Sequence, residues 1–382
     1  MLRRCCIAIE ILMLFHPFEI ALSGFSGSGK TTLAAAIVRR LAENFTVGCY
    51  KHGCHRFDID REGKDSHTLK KAGAETVMIS DPEKKAIVTG IDNNGLKERM
   101  VFLDCDLLLV EGLKELALPK LLLVDREKKI LELLAHGDIP EVVALVDTED
   151  ERKSLGNDYD LPTFHRNDIE TITAFIESFL AGKALETELS GLILAGGRSR
   201  RMGADKALLS YHEENQIVHT ATLLRQHCRE IFISCRNEQA KAYEAFGFPI
   251  ITDRYLEIGP AGGILSAQQN FPDRALLAVA CDMPFLDAPL ISKLVENRKP
   301  LRYATAFRHQ SSGHIEPLCA CYEPKSRKAL LASHAEGNDS LQSFLAGSRI
   351  GEITLSESRT VCNINDPAAM QTALKACRSP KE

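Results

Sequence analysis

At 382 residues the chain exceeds the roughly 250–300 residues at which a single hydrophobic core stops growing, so two domains are expected. Hydrophobic and charged fractions of 45% and 26% fit a globular protein in water and exclude a disordered, fibrous or membrane-embedded chain. A formal net charge of -5 leaves no basic footprint for nucleic acid, so anionic ligands have to be held by local sites.

Residues 1–17 carry Arg3, Arg4 and an apolar run from Cys5 to Phe15, the outline of a signal peptide. Glu10 interrupts the run and no small-residue cleavage site follows. The segment is read as an N-terminal extension or a misassigned start, with Met13 an alternative, and the protein as cytoplasmic. No other stretch approaches the ~20 apolar residues needed to span a bilayer. The cysteines are scattered without CxxC spacing, and Cys105, Cys281, Cys319 and Cys321 sit in apolar runs, which points to reduced thiols. Cys49, His52, Cys54 and His55 have zinc-ligand chemistry, but no second pair lies at a usual distance.

The run Phe18 to Leu22 predicts a buried strand, and Thr32 to Leu41 a helix. Between them Gly24 to Thr31 reads GFSGSGKT, a match to GxxxxGK[ST] in the strand–loop–helix context that its mechanism requires. Gly24, Gly27, Ser28 and Gly29 let backbone N–H groups curl around phosphate oxygens. Lys30 reaches the outer phosphates, Thr31 can ligate Mg2+, and Thr32 opens the helix. Lys51 to Ser66 reads KHGCHRFDIDREGKDS, a polar segment that can offer Lys51, His52, Asp58 and Asp65 to bound phosphates. Asp106 to Gly112 reads DLLLVEG, a strand flanked by carboxylates, so Asp106 or Glu111 can hold the metal or its water. Further strands are expected at Leu107 to Val110, Leu121 to Val124 and Val142 to Val146. The order of P-loop, KHGCHRFDID with GKDS, and VEG resembles the MobB family over Phe18 to Leu180, with Gly53 and Cys54 replacing part of a histidine-rich run. That resemblance implies a GTP-binding accessory to molybdenum cofactor maturation with weak hydrolysis.

Helical periodicity from Asp168 to Leu180 is expected to end at Ala181 and Gly182, and polar residues 183–188 read as a linker. The expected domains are thus 18–182 and 189–382. Strands near Gly191 to Leu194, Ile231 to Ser234, Pro249 to Thr252 and Ala275 to Ala280 repeat the α/β alternation. The first of them leads into LAGGRSRRMGADK, where two glycine clusters bracket Arg198, Arg200 and Arg201 before Lys206. Leu194, Ala195, Gly196 and Gly197 offer backbone to a triphosphate, and Arg201 and Lys206 neutralise charge moving onto departing pyrophosphate.

This pattern is the nucleotidyltransferase signature, and Leu189 to Cys377 is similar to the MobA family of molybdopterin-guanine dinucleotide synthases. The resemblance implies that Asp253, in ITDRYLEIGPAGG, recognises guanine, and that Asp282, in ACDMP, is the metal aspartate. Asn363 and Asn365, in NINDP, match a late motif lining the active site, with aspartate in place of the usual threonine. The family asparagine after the second strand falls at Arg236 or at Asn237.

The fold expected is α/β: two doubly wound three-layer domains, a P-loop NTPase fold followed by a Rossmann-like nucleotidyltransferase fold. The implied reaction transfers GMP from GTP to molybdopterin, giving molybdopterin guanine dinucleotide and pyrophosphate, with Mg2+ as cofactor. Molybdopterin-loading proteins and apo-molybdoenzymes are implied partners; nucleic acid and membrane are not. The rival readings are a cytidylyltransferase, a P-loop half that delivers cofactor to apo-molybdoenzymes, and a P-loop kinase fused to a transferase.

Overall fold

A computed structural model describes residues 15–52, 65–89, 96–147, 159–197, 206–212, 214–356, 361–364 and 367–378. The chain divides into two compact units, Met1–Leu180 and Ala181–Glu382.

The first unit is built on a six-stranded parallel sheet. Its strands are β1 (Glu19–Ser23), β2 (Val47–Lys51), β5 (Leu107–Glu111), β6 (Lys120–Leu123), β7 (Val142–Asp147) and β8 (Thr163–His165), in the order β2-β5-β1-β6-β7-β8. The central strands are buried on both faces, as strands covered by helices must be, and they read as unbroken apolar runs. The helix Lys30–Leu41 turns Leu33, Ile37 and Leu41 inward at a four-residue spacing and packs on the sheet. Chain order reverses across β1, which is flanked by β5 and β6, so the crevice at its C-terminal end is where ligands bind in open α/β sheets.

Lys120 is fully buried at the start of β6, where the apolar pattern predicts a strand only from Leu121. Its Nζ donates to Leu116 O and Pro140 O at 2.6 and 2.5 Å, and burial pushes its pKa down to about 8. A two-stranded hairpin, β3 (Thr76–Ser80) and β4 (Lys85–Thr89), lies outside the main sheet. Only Val77 of these strands is buried, so no core-facing alternation marks them in the sequence.

Periodicity predicts a helix ending at Ala181–Gly182, but the helix runs from Ile169 to Leu185. A lone glycine costs a helix only about 1 kcal/mol, and the good helix formers Lys183, Ala184 and Leu185 carry it one turn further. Ala184 is fully buried, so that turn belongs to folded structure and not to a linker.

The second unit carries a seven-stranded sheet of β9 (Leu189–Leu194), β10 (Ile231–Cys235), β11 (Ile250–Thr252), β12 (Ala275–Ala280), β13 (Ala304–His309), β14 (Ile315–Tyr322) and β15 (Gly351–Leu355). The order is β11-β10-β9-β12-β14-β13-β15, and β14 runs antiparallel to both of its neighbours. Alternate residues feed separate cores on the two faces. Leu192, Leu194 and Ala278 pack on one side, and Ile193, Leu277 and Val279 on the other. This is the three-layer α/β arrangement that the strand pattern predicts. Among the described residues no helix is long and apolar enough to cross a membrane.

One ion pair ties this unit together. Arg298 Nε and Nη2 donate to the two Glu323 carboxylate oxygens at 2.7 and 2.8 Å, with side chains 4% and 2% exposed. Removing one partner strands the other charge in the core, so Arg298→Ala is expected to cost about 3–5 kcal/mol. Replacing both partners by apolar residues of similar volume is expected to cost far less. Equilibrium denaturation followed by circular dichroism compares the variants, and equal losses would show that the pair is not desolvated.

Candidate functional site

Each unit places a glycine loop at the C-terminal end of its central strand. In the first unit the loop leaves β1 at Gly24 and enters the helix at Lys30, with Gly27 and Gly29 at φ 76° and 82°. Left-handed backbone costs other residues about 1–2 kcal/mol, which accounts for glycine at both positions. A Cβ at Gly29 would also meet the end of the Arg166 side chain, which would have to shift.

Lys30 folds back on its own loop, donating to Gly24 O at 3.0 Å and Phe25 O at 2.7 Å. Thr31 Oγ1 donates to Glu111 Oε1 at 2.7 Å, and Lys51 Nζ lies 3.0 Å from Thr31 Oγ1 and 3.2 Å from Glu111 Oε1. Pairing registers explain the convergence, since Glu111 is matched to Leu22 of β1 and to Lys51 of β2. Of the two carboxylates that flank this strand, only Glu111 reaches the loop. Asp106 precedes β5 at its far end, where its Oδ2 accepts from Thr46 N at 2.8 Å.

His52 and Asp65 are exposed, and His52 meets β5 through its backbone N–H bond to Glu111 O. Asp58 lies outside the described residues. Arg166, which follows β8, escapes the motif-based reading; its Nη2 is 3.4 Å from Gly29 O. Its signal in the sequence is position alone: an arginine just past a strand end.

In the second unit β9 delivers Leu194, Ala195, Gly196 and Gly197 to the same kind of position. Arg201 lies outside the described residues, as does the side chain of Lys206, whose backbone opens the turn Lys206–Leu208. The described part of the loop is braced from the next strand–helix connection. Arg236 Nε donates to Gly196 O at 2.9 Å, and Gln239 Nε2 to Ala195 O at 3.3 Å and Tyr243 Oη at 3.0 Å. Asn237 is exposed on the first turn of its helix, so of the two candidate positions it is Arg236 that meets the loop.

Asp253 follows β11 and comes back over Gly196, where a Cβ would stand 2.5 Å from its Oδ2. Burial pushes the Asp253 carboxyl above the ordinary range, opposed by the Ser234 hydrogen bond and the Arg236 charge.

Asp282, half-buried, follows β12 on the other side of β9. Its carbonyl accepts from Ile364 N at 3.0 Å, which brings Asn363 and Ile364 to the same strand end. Asn365 lies outside the described residues. Two groups near Asp282 have no motif to announce them. Burial first and the Asp282 charge second push the Tyr211 hydroxyl up to about 12; burial, with Asp282 adding, takes the Glu316 carboxyl to about 7. His309 Nε2 stands 3.9 Å from Glu316 Oε2.

Residues 191–353 match the MobA-like NTP transferase domain, and residues 19–148 match molybdopterin guanine dinucleotide synthesis protein B. The molybdenum cofactor guanylyltransferase of Pseudomonas putida is 30% identical over 183 residues, 47% of this chain and 94% of that enzyme. The chain belongs to the molybdenum cofactor guanylyltransferase family. It carries a MobB domain ahead of the transferase domain. The molybdenum cofactor biosynthesis bifunctional protein of Synechocystis is 35% identical over 139 residues, 36% of this chain but only 40% of that protein's length. The molybdopterin-guanine dinucleotide biosynthesis adapter protein of Haemophilus influenzae is 37% identical over 113 residues, 28% of this chain and 64% of that protein.

With a MobB and a transferase domain each presenting a glycine loop, two GTP molecules per chain are expected. Gly29→Ala puts a side chain on left-handed backbone and displaces the Arg166 guanidinium, so it should weaken nucleotide binding at the first site alone. Calorimetric titration with a non-hydrolysable GTP analogue should fall from two sites to one. A stoichiometry unchanged in the folded variant would show that the first loop takes no nucleotide.

Proposed function

We propose that the second unit transfers GMP from GTP to the terminal phosphate of molybdopterin, releasing pyrophosphate and leaving molybdopterin guanine dinucleotide. The observation that carries this reading is lateral order along one sheet edge. Asp253 follows β11, the glycine loop follows β9, and Asp282 follows β12, in the strand order β11-β10-β9-β12. The glycine loop is therefore flanked by one aspartate toward β11, proposed for the base, and one toward β12, proposed for the metal at the transferred phosphate, at strand ends where open α/β sheets bind ligands.

Guanine offers N1–H and N2–H to a carboxylate acceptor, which suits Asp253. Backbone of Gly196 and Gly197, with Arg201 and Lys206, serves the phosphates. An oxygen of the acceptor phosphate attacks the α-phosphorus, the bond from that phosphorus to the bridging oxygen breaks, and pyrophosphate departs with the bonding electrons. No covalent enzyme intermediate is needed, so positioning and charge neutralisation carry the catalysis.

Among the described residues no group of three His, Cys, Asp or Glu side chains forms a closed metal site. A lone carboxylate at the reacting centre suits Mg2+, which takes one or two carboxylates and completes its shell with phosphate oxygens and water. Asp282 would hold it there, and it would supply charge neutralisation at the transferred phosphate. In the first unit the Thr31 hydroxyl and Glu111 form the corresponding pair.

The first unit is proposed to bind GTP as an accessory that works with apo-molybdoenzymes and molybdopterin-loading proteins; its likeness to an adapter protein supports that role. The direct test incubates the protein with Mg-GTP and molybdenum-loaded molybdopterin and identifies the dinucleotide by mass. A cytosine product from CTP at comparable rate would overturn the guanine reading.

Asp282→Asn is expected to lower pyrophosphate release by about 10² to 10³, the scale for losing a group aimed at developing charge. Lys30→Ala is expected to leave that rate nearly intact while weakening nucleotide binding to the first unit. Equal damage from the two substitutions, in folded proteins, would move the P-loop into the transfer reaction.

A further inference from the structure

Two glycines of the second unit are demanded by one carboxylate and the hydroxyl that holds it. Gly196 leaves no space for a side chain because Asp253 Oδ2 occupies it. Gly263, in the helix Pro260–Asn270, leaves none because the Ser234 hydroxyl occupies it, with Leu194 Cδ2 close behind at 2.9 Å. Ser234 is 1% exposed on β10, and its Oγ donates to Asp253 Oδ1 at 2.6 Å. The Asp253 backbone is held independently, donating from N to Cys235 O at 2.8 Å. A chain of contacts thus runs from Gly263 through the Ser234 hydroxyl and the Asp253 carboxylate to the glycine loop.

Carboxylate rotation about its terminal bond is broad and nearly free unless something grips an oxygen. Here a buried hydroxyl grips one oxygen, and the other is packed against Gly196. We propose that Ser234 is a positioning residue for base choice, its hydroxyl seated over Gly263 and fixing the edge that Asp253 presents to an N–H donor on the nucleotide base. This rests on the reading that Asp253 faces the base. Orientation is what makes a carboxylate discriminate: a fixed carboxylate can take both N1–H and N2–H of guanine, whereas cytosine offers one N4–H2 donor beside the N3 acceptor, which a carboxylate oxygen leaves unpaired.

The test measures kcat/KM for GTP and CTP in the full-length protein with molybdopterin as acceptor. Asp253→Ala should collapse the GTP:CTP ratio, which checks the underlying reading. Ser234→Ala should lower that ratio on the order of tenfold, the scale of one hydrogen bond to a charged group. The loss should fall mainly on the KM for GTP. Ser234→Cys leaves a weaker donor at the same position, so it should give an intermediate ratio, and it reads the effect even if the alanine variant folds poorly. Gly263→Ala should reduce the ratio by displacing the hydroxyl, and should add no further loss of selectivity to Ser234→Ala.

A GTP:CTP ratio kept within twofold by both Ser234 variants, while Asp253→Ala collapses it, overturns the positioning role and leaves the base reading standing. A ratio untouched by Asp253→Ala overturns the base reading and the inference with it. Ser234 variants that lower the melting temperature without moving the ratio assign the hydroxyl to packing alone, and this too overturns the proposal.

Discussion

A strand buried on both faces has no place along its length for an unpaired charge, so its chemistry collects at its ends. That constraint organises both units. β1, β5, β9, β10 and β12 are buried almost from end to end, and the groups with chemical capability stand at or just past their last residues: Gly24, Glu111, Gly196, Arg236 and Asp282. Lys120 shows the cost of departing from the rule. A lysine buried in a strand is held by two carbonyls, and its charged form is disfavoured enough to bring its pKa near 8.

The two glycine loops meet similar demands by different means. In the first, glycine is needed for conformation, since Gly27 and Gly29 occupy left-handed backbone that shapes a nest of N–H groups. In the second, Gly196 is needed for volume, and the volume is filled by Asp253. A motif-level account of Gly196 as backbone yielding to a phosphate therefore captures half of its role. The same residue packs the glycine loop directly against the carboxylate that follows β11. Arg236 and Gln239 strengthen that coupling by binding the carbonyls of Gly196 and Ala195.

What was legible in the sequence follows from the same physics. Buried parallel strands announce themselves as short apolar runs, and the expected strands at Leu107 to Val110, Ile231 to Ser234 and Ala275 to Ala280 lie where β5, β10 and β12 are found. Glycine-rich loops with a strand before them were equally readable. The β3–β4 hairpin left no trace because its side chains, Val77 and Val88 apart, are exposed. The antiparallel β14 carries Glu316 inside an apolar strand, where no spacing rule marks it. The choice between Asp106 and Glu111 is undecidable from DLLLVEG, because both flank the strand; only strand direction and register put Glu111 beside Thr31. Ser234 was equally invisible. A serine closing an apolar run looks like any strand end until Asp253 is folded back onto it.

The electrostatics around Asp282 bear on what the reacting centre accepts. Burial and the Asp282 charge act in the same direction on Tyr211 and on Glu316, each held toward its neutral form. Glu316 is only 6% exposed on its side chain, and His309, its nearest imidazole at 3.9 Å, is itself pushed toward neutrality by burial and by His314. Tyr211 and Glu316 are therefore both held back from adding negative charge beside Asp282. A carboxylate and a phosphate at short range repel each other. Phosphate arriving with a divalent cation reverses the sign of that interaction. On the proposed reading that Asp282 holds Mg2+, the charge that helps keep Glu316 toward its neutral form is the one a metal-bound nucleotide would meet.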